Sequence, residues 1–509
     1  MNHFVAGIIR IILLEASVAL LIMERAIDEA AVRLRARRRW GAYLVAALSV
    51  SAFLNFGELH GDGNLVHPWE QYHFFLGSKY LREVGYFDLY TATILADREG
   101  THRLDRVSRT RDLRTFDEVD VDRALADAAT VRARFSDARW EEFKADWASL
   151  SRWPAPWNAI VADHGNSGSP AWAVAALPFV ELFGASPTGQ TLLGCLDLVL
   201  MAVMFVFLFR AFGGEAAAVG LIVWSLTPFS FDFLAGSILR WDWLFAVGMA
   251  FACWRRERPL LAGACLGYAA AAKLFPLFFA VALGVWLVID SFRRRRLDPQ
   301  LPRFVAGFAA AAIALVLASS AAFGGFGVWR AYRDRIEVTQ TEKYYANQYS
   351  LKTVFLQVAE STPHELSRTL LKPAVIKQSL PRVDIDSHRV AFLLVQLALT
   401  ALALVAVARA GAVEALAAGP FLVFIWLTVN AYYWNMLGLT ALAWAAAQLA
   451  PRGRLSLPLL ALHVTWGAFY LYQHLNMGFA EGYFVALLLL GTFVVWAASA
   501  IAGRRPAAC

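Results

Sequence analysis

The sequence predicts an all-α polytopic membrane protein, on three observations. Of its 509 residues, 59% are hydrophobic and only 17% are charged, where a soluble chain carries about 25% charged residues. The apolar residues come in blocks close to the roughly 20 residues that a helical crossing needs. The arginines gather between those blocks, where they act as topology signals. The net charge of +7 therefore points to a bilayer as partner and not to nucleic acid. Cys195, Cys253 and Cys265 lie in apolar stretches and Cys509 ends the chain, so neither a disulfide framework nor a thiolate metal site is expected.

Residues 1–40 open on an apolar run interrupted by Arg10 and Glu15, without a small-residue cleavage site. That argues against a cleaved signal peptide. Its alternating faces favour an in-plane amphipathic helix, with an additional span as the alternative. Arg33, Arg35, Arg37, Arg38 and Arg39 then precede a span near 41–57 and put its start in the cytoplasm.

The membrane domain runs over 41–509 and contains two long external loops, 58–188 and 325–388. The middle of the first, 97–152, is rich in Asp, Arg and Trp and reads as surface helices. Residues 169–184, SPAWAVAALPFVELFG, are too short to cross. If they crossed, Arg255, Arg256 and Arg258 would end outside; if they only dip into the external leaflet, those arginines stay inside. Spans then follow near 190–210, 216–234, 241–254, 259–272, 275–291, 303–323, 389–408, 414–430, 433–450, 455–474 and 480–502. That makes about twelve transmembrane helices, with both termini cytoplasmic and the polar residues gathered at the external side.

The segment His67-Pro68-Trp69-Glu70-Gln71-Tyr72-His73 stands out there. With Pro68 in the first turn of a helix, Glu70 sits where a carboxylate complements the helix dipole. Alternatively it does chemistry: Glu70, His73 and Gly77 share a helical face, and Trp69 and Tyr72 offer stacking surfaces beside them. Glu58 and Asp62 lie just upstream in a glycine-rich turn, as turn formers or as further acids. With His60, His67 and His73 they supply metal-ligand types, but their spacing fits no ligand signature. A divalent ion thus stays open and no cofactor is required.

Cations are the other half of the pattern. Arg240 lies in LRWDW and Lys273 in AAAAKLFPLFF, either snorkelling to the interface or meeting an anion. The second loop adds Lys343, Tyr345, Asn347, Gln348 and Lys352, in a stretch of amides and aromatics before an apolar helix. Together these residues describe one external cavity.

The order of these pieces is similar to that of the GT-C superfamily of membrane glycosyltransferases. The nearest likeness is to bacterial α-mannosyltransferases that use polyprenyl-phosphate-mannose. The pieces that carry it are Glu70 through Tyr90, Ser169 to Pro178, Lys273 to Pro276 and Asn347 to Leu351. The resemblance implies a GT-C-like bundle in a cell membrane, bacterial inner membrane by the likeness. It also implies transfer of a hexose, mannose in that likeness, from a polyprenyl-phosphate donor to a glycan or lipid acceptor at the non-cytoplasmic face. Glu70 would be the general base, with Asp62 and Glu58 as further acids. Lys273, Arg240, Lys343 and Lys352 would bind the donor phosphate. His67, Trp69, Tyr72, His73, Tyr345, Asn347 and Gln348 would line the substrate. The family's first-loop acid is usually Asp, often followed by Phe; here Glu70 precedes Gln71, which leaves the sugar and the acceptor open.

Two other classes fit the composition. A transporter needs deep charges and paired broken helices; the chain offers Asp197 in the span near 190–210, and no internal repeat. A non-catalytic scaffold is the third.

Overall fold

The computed structural model describes residues 3–26, 32–61, 63–228, 233–341, 348–360, 385–450, 453–474 and 481–503. Its regular structure is almost wholly helical. Helices α1 (His3–Ala26) and α2 (Val32–Phe53) lie antiparallel. Arg10 donates to the Ala52 carbonyl at 3.2 Å, and Leu20 lies against Gly41 further along. The stretch Val5–Met23 within α1 is long and apolar enough to cross a membrane, and it buries Leu13, Leu14 and Leu21 against its neighbours. The start of α1 therefore lies at the end of the bundle where α2 delivers the chain to the first long loop. The arginine pattern instead puts both termini at the opposite end.

That first loop folds around a core of its own. Helix α3 (Pro68–Lys79) starts where His67 caps it, its Nδ1 accepting the Glu70 N–H at 3.2 Å. Tyr72, Phe75, Leu76 and Lys79 then recur at helical spacing on the buried side. Opposite them pack α4 (Leu89–Arg98) and α5 (Asp137–Leu150), whose Trp140, Phe143, Trp147 and Leu150 are buried. A small antiparallel hairpin joins β1 (Arg109–Arg111) to β2 (Glu118–Asp120). Helix α6 (Pro170–Phe183) begins on a Ser169 cap and a first-turn proline. At 14 residues it is too short to cross unaided, and it packs on α3.

The bundle continues through α7 (Pro187–Phe212), α8 (Gly214–Ser225), α9 (Asp242–Arg255), α10 (Pro259–Ala272), α11 (Leu277–Arg293) and α12 (Gln300–Ala322). Helix α13 (Gly327–Thr341) returns to the first loop: the Tyr332 ring lies tilted 5.5 Å from that of Tyr86, and the Arg335 guanidinium lies 4.3 Å from the Phe116 ring centroid. After β3 (Gln348–Tyr349) and α14 (Leu351–Glu360), α15 (Arg389–Arg409) and α16 (Gly419–Trp426) lead to β4 (Val429–Asn430). Helices α17 (Leu437–Leu449), α18 (Leu457–His474) and α19 (Glu481–Ala502) close the bundle, and α1 lies along α18. Among the described residues, 5 helices are long and apolar enough to cross a membrane, so the chain is a multi-pass membrane protein. The expected count of about twelve is not reached by length alone. Helices α8, α9, α10, α11 and α17, of 12, 14, 14, 17 and 13 residues, fall short of the roughly 20 that an unaided crossing needs. Helices α8 and α16 stop at Ser225 and Trp426, before the ends of the runs 216–234 and 414–430.

Candidate active site

Two segments meet at the mouth of the bundle: the first turn of α3 and the loop 233–241 before α9. The Gly236 carbonyl accepts from the His67 N–H at 3.0 Å and from the Gln71 side-chain amide at 2.9 Å. His60 Nε2 bonds the Ala235 carbonyl at 2.8 Å, and Trp172 Nε1 donates to the Leu239 carbonyl at 3.1 Å. From below, Asp197 of α7 accepts the Trp241 N–H at 3.1 Å. The one deep acid of the span near 190–210 is thus an anchor for this loop.

The anchoring brings Arg240 onto Glu70. Nη1 of Arg240 pairs with Oε1 of Glu70, and the two side chains keep only 8% and 17% of their exposure. Oε2 of Glu70 is buried and has no hydrogen-bond partner among the described residues. The guanidinium lies 4.4 Å from the Tyr432 ring centroid and 5.6 Å from that of Trp241, so its faces are covered by π-density.

Lys273 caps the end of α10, beside Ser169, whose hydroxyl donates to the Ala271 carbonyl at 2.7 Å. Its ammonium lies 5.9 Å from the Phe74 centroid and 6.0 Å from that of Tyr433. Phe74 is four residues after Glu70 on α3, one helical turn away. No carboxylate among the described residues lies within ion-pair distance of Lys273. Burial pushes its ammonium below the usual lysine range; Arg240 adds to this, while Tyr432 and Asp242 oppose it. Asp242 itself accepts from the Tyr268 hydroxyl at 2.7 Å.

The remaining predicted residues spread out. The shared face of α3 divides: Glu70 meets Arg240, His73 bonds the Tyr90 hydroxyl at 2.8 Å, and Gly77 packs on Asn166. Tyr72 is fully buried in the external domain and donates to Thr93 at 2.8 Å. Trp69 donates to Asp163 at 2.7 Å. His67 caps α3, and burial drives its imidazole well below 6.5, with His60, Arg240 and His73 adding to the shift. Glu58 lies exposed on the turn into α3, its carbonyl accepting the Gly61 and Gly63 N–H groups at 2.7 and 3.2 Å. Gln348 pairs across β3 and β4 with Asn430, whose amide reaches the Tyr432 hydroxyl at 3.1 Å. Lys352 lies half-buried in the first turn of α14. Asp62, Lys343, Tyr345 and Asn347 lie outside the described residues.

Phe74, Asp242, Tyr268, Tyr432 and Tyr433 join the site without having been singled out for it in the sequence. NAYYWN shows as a polar external turn, but its contact with Arg240 spans the fold and leaves no spacing to read.

The candidate site thus sets an ion-paired acid and two cations, one of them without an ion-pair partner among the described residues, at the mouth of a helical bundle. The family model for Glycosyltransferase family 87 matches residues 167–428, just over half of the chain. The chain belongs to that family and is a membrane glycosyltransferase. No curated protein and no solved structure matches it. Arg240, Lys273, Gln348 and Lys352 fall within the matched stretch; Glu70 precedes it, and Tyr432 and Tyr433 follow it.

Proposed function

We propose that the protein moves a hexosyl group, mannosyl by its GT-C likeness, from a polyprenyl-phosphate donor to a hydroxyl of a glycan or lipid acceptor at the non-cytoplasmic mouth of the bundle. The observation that carries this reading is Lys273: a part-buried ammonium flanked by rings, one of them Phe74, which is one helical turn along α3 from Glu70. An unpaired cation so placed is costly unless an anion arrives to meet it. A phosphate bound between Lys273 and Arg240 would leave its sugar beside Glu70.

In this reading Glu70 takes the proton of the acceptor hydroxyl as its oxygen forms a bond to the anomeric carbon. The bond from that carbon to the phosphate oxygen breaks, and the electron pair leaves with the lipid phosphate. Attack from the face opposite the phosphate inverts the anomeric centre. The leaving group needs no acid, and the two cations stabilise the charge it gains. The chemistry requires no metal, and turnover should survive EDTA.

The test is transfer from a synthetic prenyl-phosphate-mannose by purified protein and by Glu70→Gln. Loss of the general base lowers turnover by about 10²–10⁴-fold with the fold intact. A carboxylate serving only as the structural partner of Arg240 would instead cost about 3–5 kcal/mol of stability when removed, with activity of the folded fraction retained. Near-normal turnover in Glu70→Gln would move the base to Asp62 or Glu58.

A further inference from the structure

A general base works by offering a lone pair, and a guanidinium bonded to the same carboxylate occupies it. In the structure Glu70 is in that condition: one oxygen is paired with Arg240, and the other is buried and unpartnered among the described residues. The base assigned above is therefore masked in the ligand-free protein. We propose that Arg240 serves two anions in turn, Glu70 in the free protein and the donor phosphate in the complex, so that donor binding is what releases the base. This rests on the lipid-phosphate reading and adds an order to it: donor first, acceptor second.

The surroundings of Arg240 suit such an exchange. Its backbone is held by the Asp197 bond to Trp241 and the Trp172 bond to Leu239, so only the side chain needs to move. The guanidinium is guided by the Tyr432 and Trp241 rings. Its Nε has no hydrogen-bond partner among the described residues. Ring contacts lack the directionality of hydrogen bonds and let a planar cation shift at little cost.

Lys273 supplies the direction. It lies by Phe74, one turn along α3 from Glu70, and shares the Tyr432–Tyr433 pair with Arg240. A phosphate drawn to Lys273 presents its other oxygens to Arg240, whose planar fork matches phosphate as well as carboxylate. Once transfer is complete the leaving lipid phosphate has lost its sugar, and Glu70 is again available to compete for Arg240. The same pairing then assists product release.

The experiment is equilibrium binding of farnesyl phosphate to the full-length protein in lipid nanodiscs, for wild type, Glu70→Gln and Glu70→Asp. If Glu70 competes with phosphate for Arg240, removing its charge tightens binding. A charge-assisted hydrogen bond is worth about 1.5–3 kcal/mol, which sets the gain at about 10–100-fold for Glu70→Gln. Glu70→Asp, which keeps the charge but withdraws it, should fall between, and it serves as the readout should Glu70→Gln not fold. In an Arg240→Gln background the Glu70→Gln change should have no further effect. Wild type that binds, with variants that bind equally or more weakly, overturns the exchange and leaves the donor assignment standing. Wild type that binds no farnesyl phosphate overturns the donor assignment and the exchange with it.

Discussion

In the external domain, Lys79 lies between Glu142 and Asp146, each at 2.7 Å, and Asp88 lies between Arg114 and Arg134 at 2.8 and 2.7 Å. At the mouth of the bundle, Arg240 pairs with Glu70, while Lys273 has no ion-pair partner among the described residues. Both regions bury charge, but only the first balances it internally. Balanced charge that is hydrogen-bonded on every side holds a fold in register. A cation among rings, with no ion-pair partner among the described residues, is what makes the second region the candidate ligand site.

Substitutions that treat the two regions alike should therefore have opposite readouts. Lys79→Met leaves Asp146 with only the Tyr80 hydroxyl and Glu142 with only Arg139, and should lower stability by about 1–3 kcal/mol, read by thermal melting, with kcat of the folded fraction unchanged. Lys273→Met removes a charge that no carboxylate among the described residues pairs with directly, Asp242 acting on it only at longer range. Its melting temperature should hold or rise, while kcat/KM for the lipid donor falls about 10–100-fold, the worth of one charge-assisted contact. A Lys273→Met protein that melts early and turns over normally would erase the distinction.

A smaller effect belongs to Gly77. A Cβ there would come within 2.5 Å of the Asn166 side-chain nitrogen and 2.8 Å of two of its carbons. Gly77→Ala should cost about 1–3 kcal/mol through overpacking, measured by denaturation, without moving KM for the donor.

The smallest is a pH effect at His67. Its folded-state pKa lies well below the ordinary histidine value of 6.5, by burial first and by His60, Arg240 and His73 after it. The unfolded chain binds that proton more readily. Its contribution to stability is therefore complete above about 6.5 and is lost as pH falls from there towards the depressed folded value. Asn also caps helices but does not titrate. Melting between pH 7.5 and pH 5.5 should thus fall less in His67→Asn than in wild type; equal slopes would remove His67 as a source of acid sensitivity.

How much of this was legible in the sequence follows from how local each interaction is. The helices Pro259–Ala272 and Arg389–Arg409 agree with the runs 259–272 and 389–408, because apolar length is a local property. The breaks after Ser225 and Trp426 escape a reading by apolar run length, although Thr227-Pro228 and Thr428 with Asn430 follow them closely. The cap of α3 was readable from Pro68 and Glu70. The roles of Gln71 and Asp197 were not: each bonds loop 233–241 from a distant segment. Gln71, which departs from the family's acid motif, is a fully buried tie to Gly236 and Gln190.

One carbonyl, that of Gly236, receives both the His67 N–H and the Gln71 amide. The acid and the arginine are thereby mounted on a common frame, although they come from segments far apart along the chain. A frame of this kind cannot part like the jaws of a clamp without losing two hydrogen bonds at one oxygen. An acceptor pushing on the outer face would tilt acid and arginine together and keep their spacing fixed. The site is then tuned by rotamers on a stiff mount, and molecules that block it would need to fill the gap between the two cations.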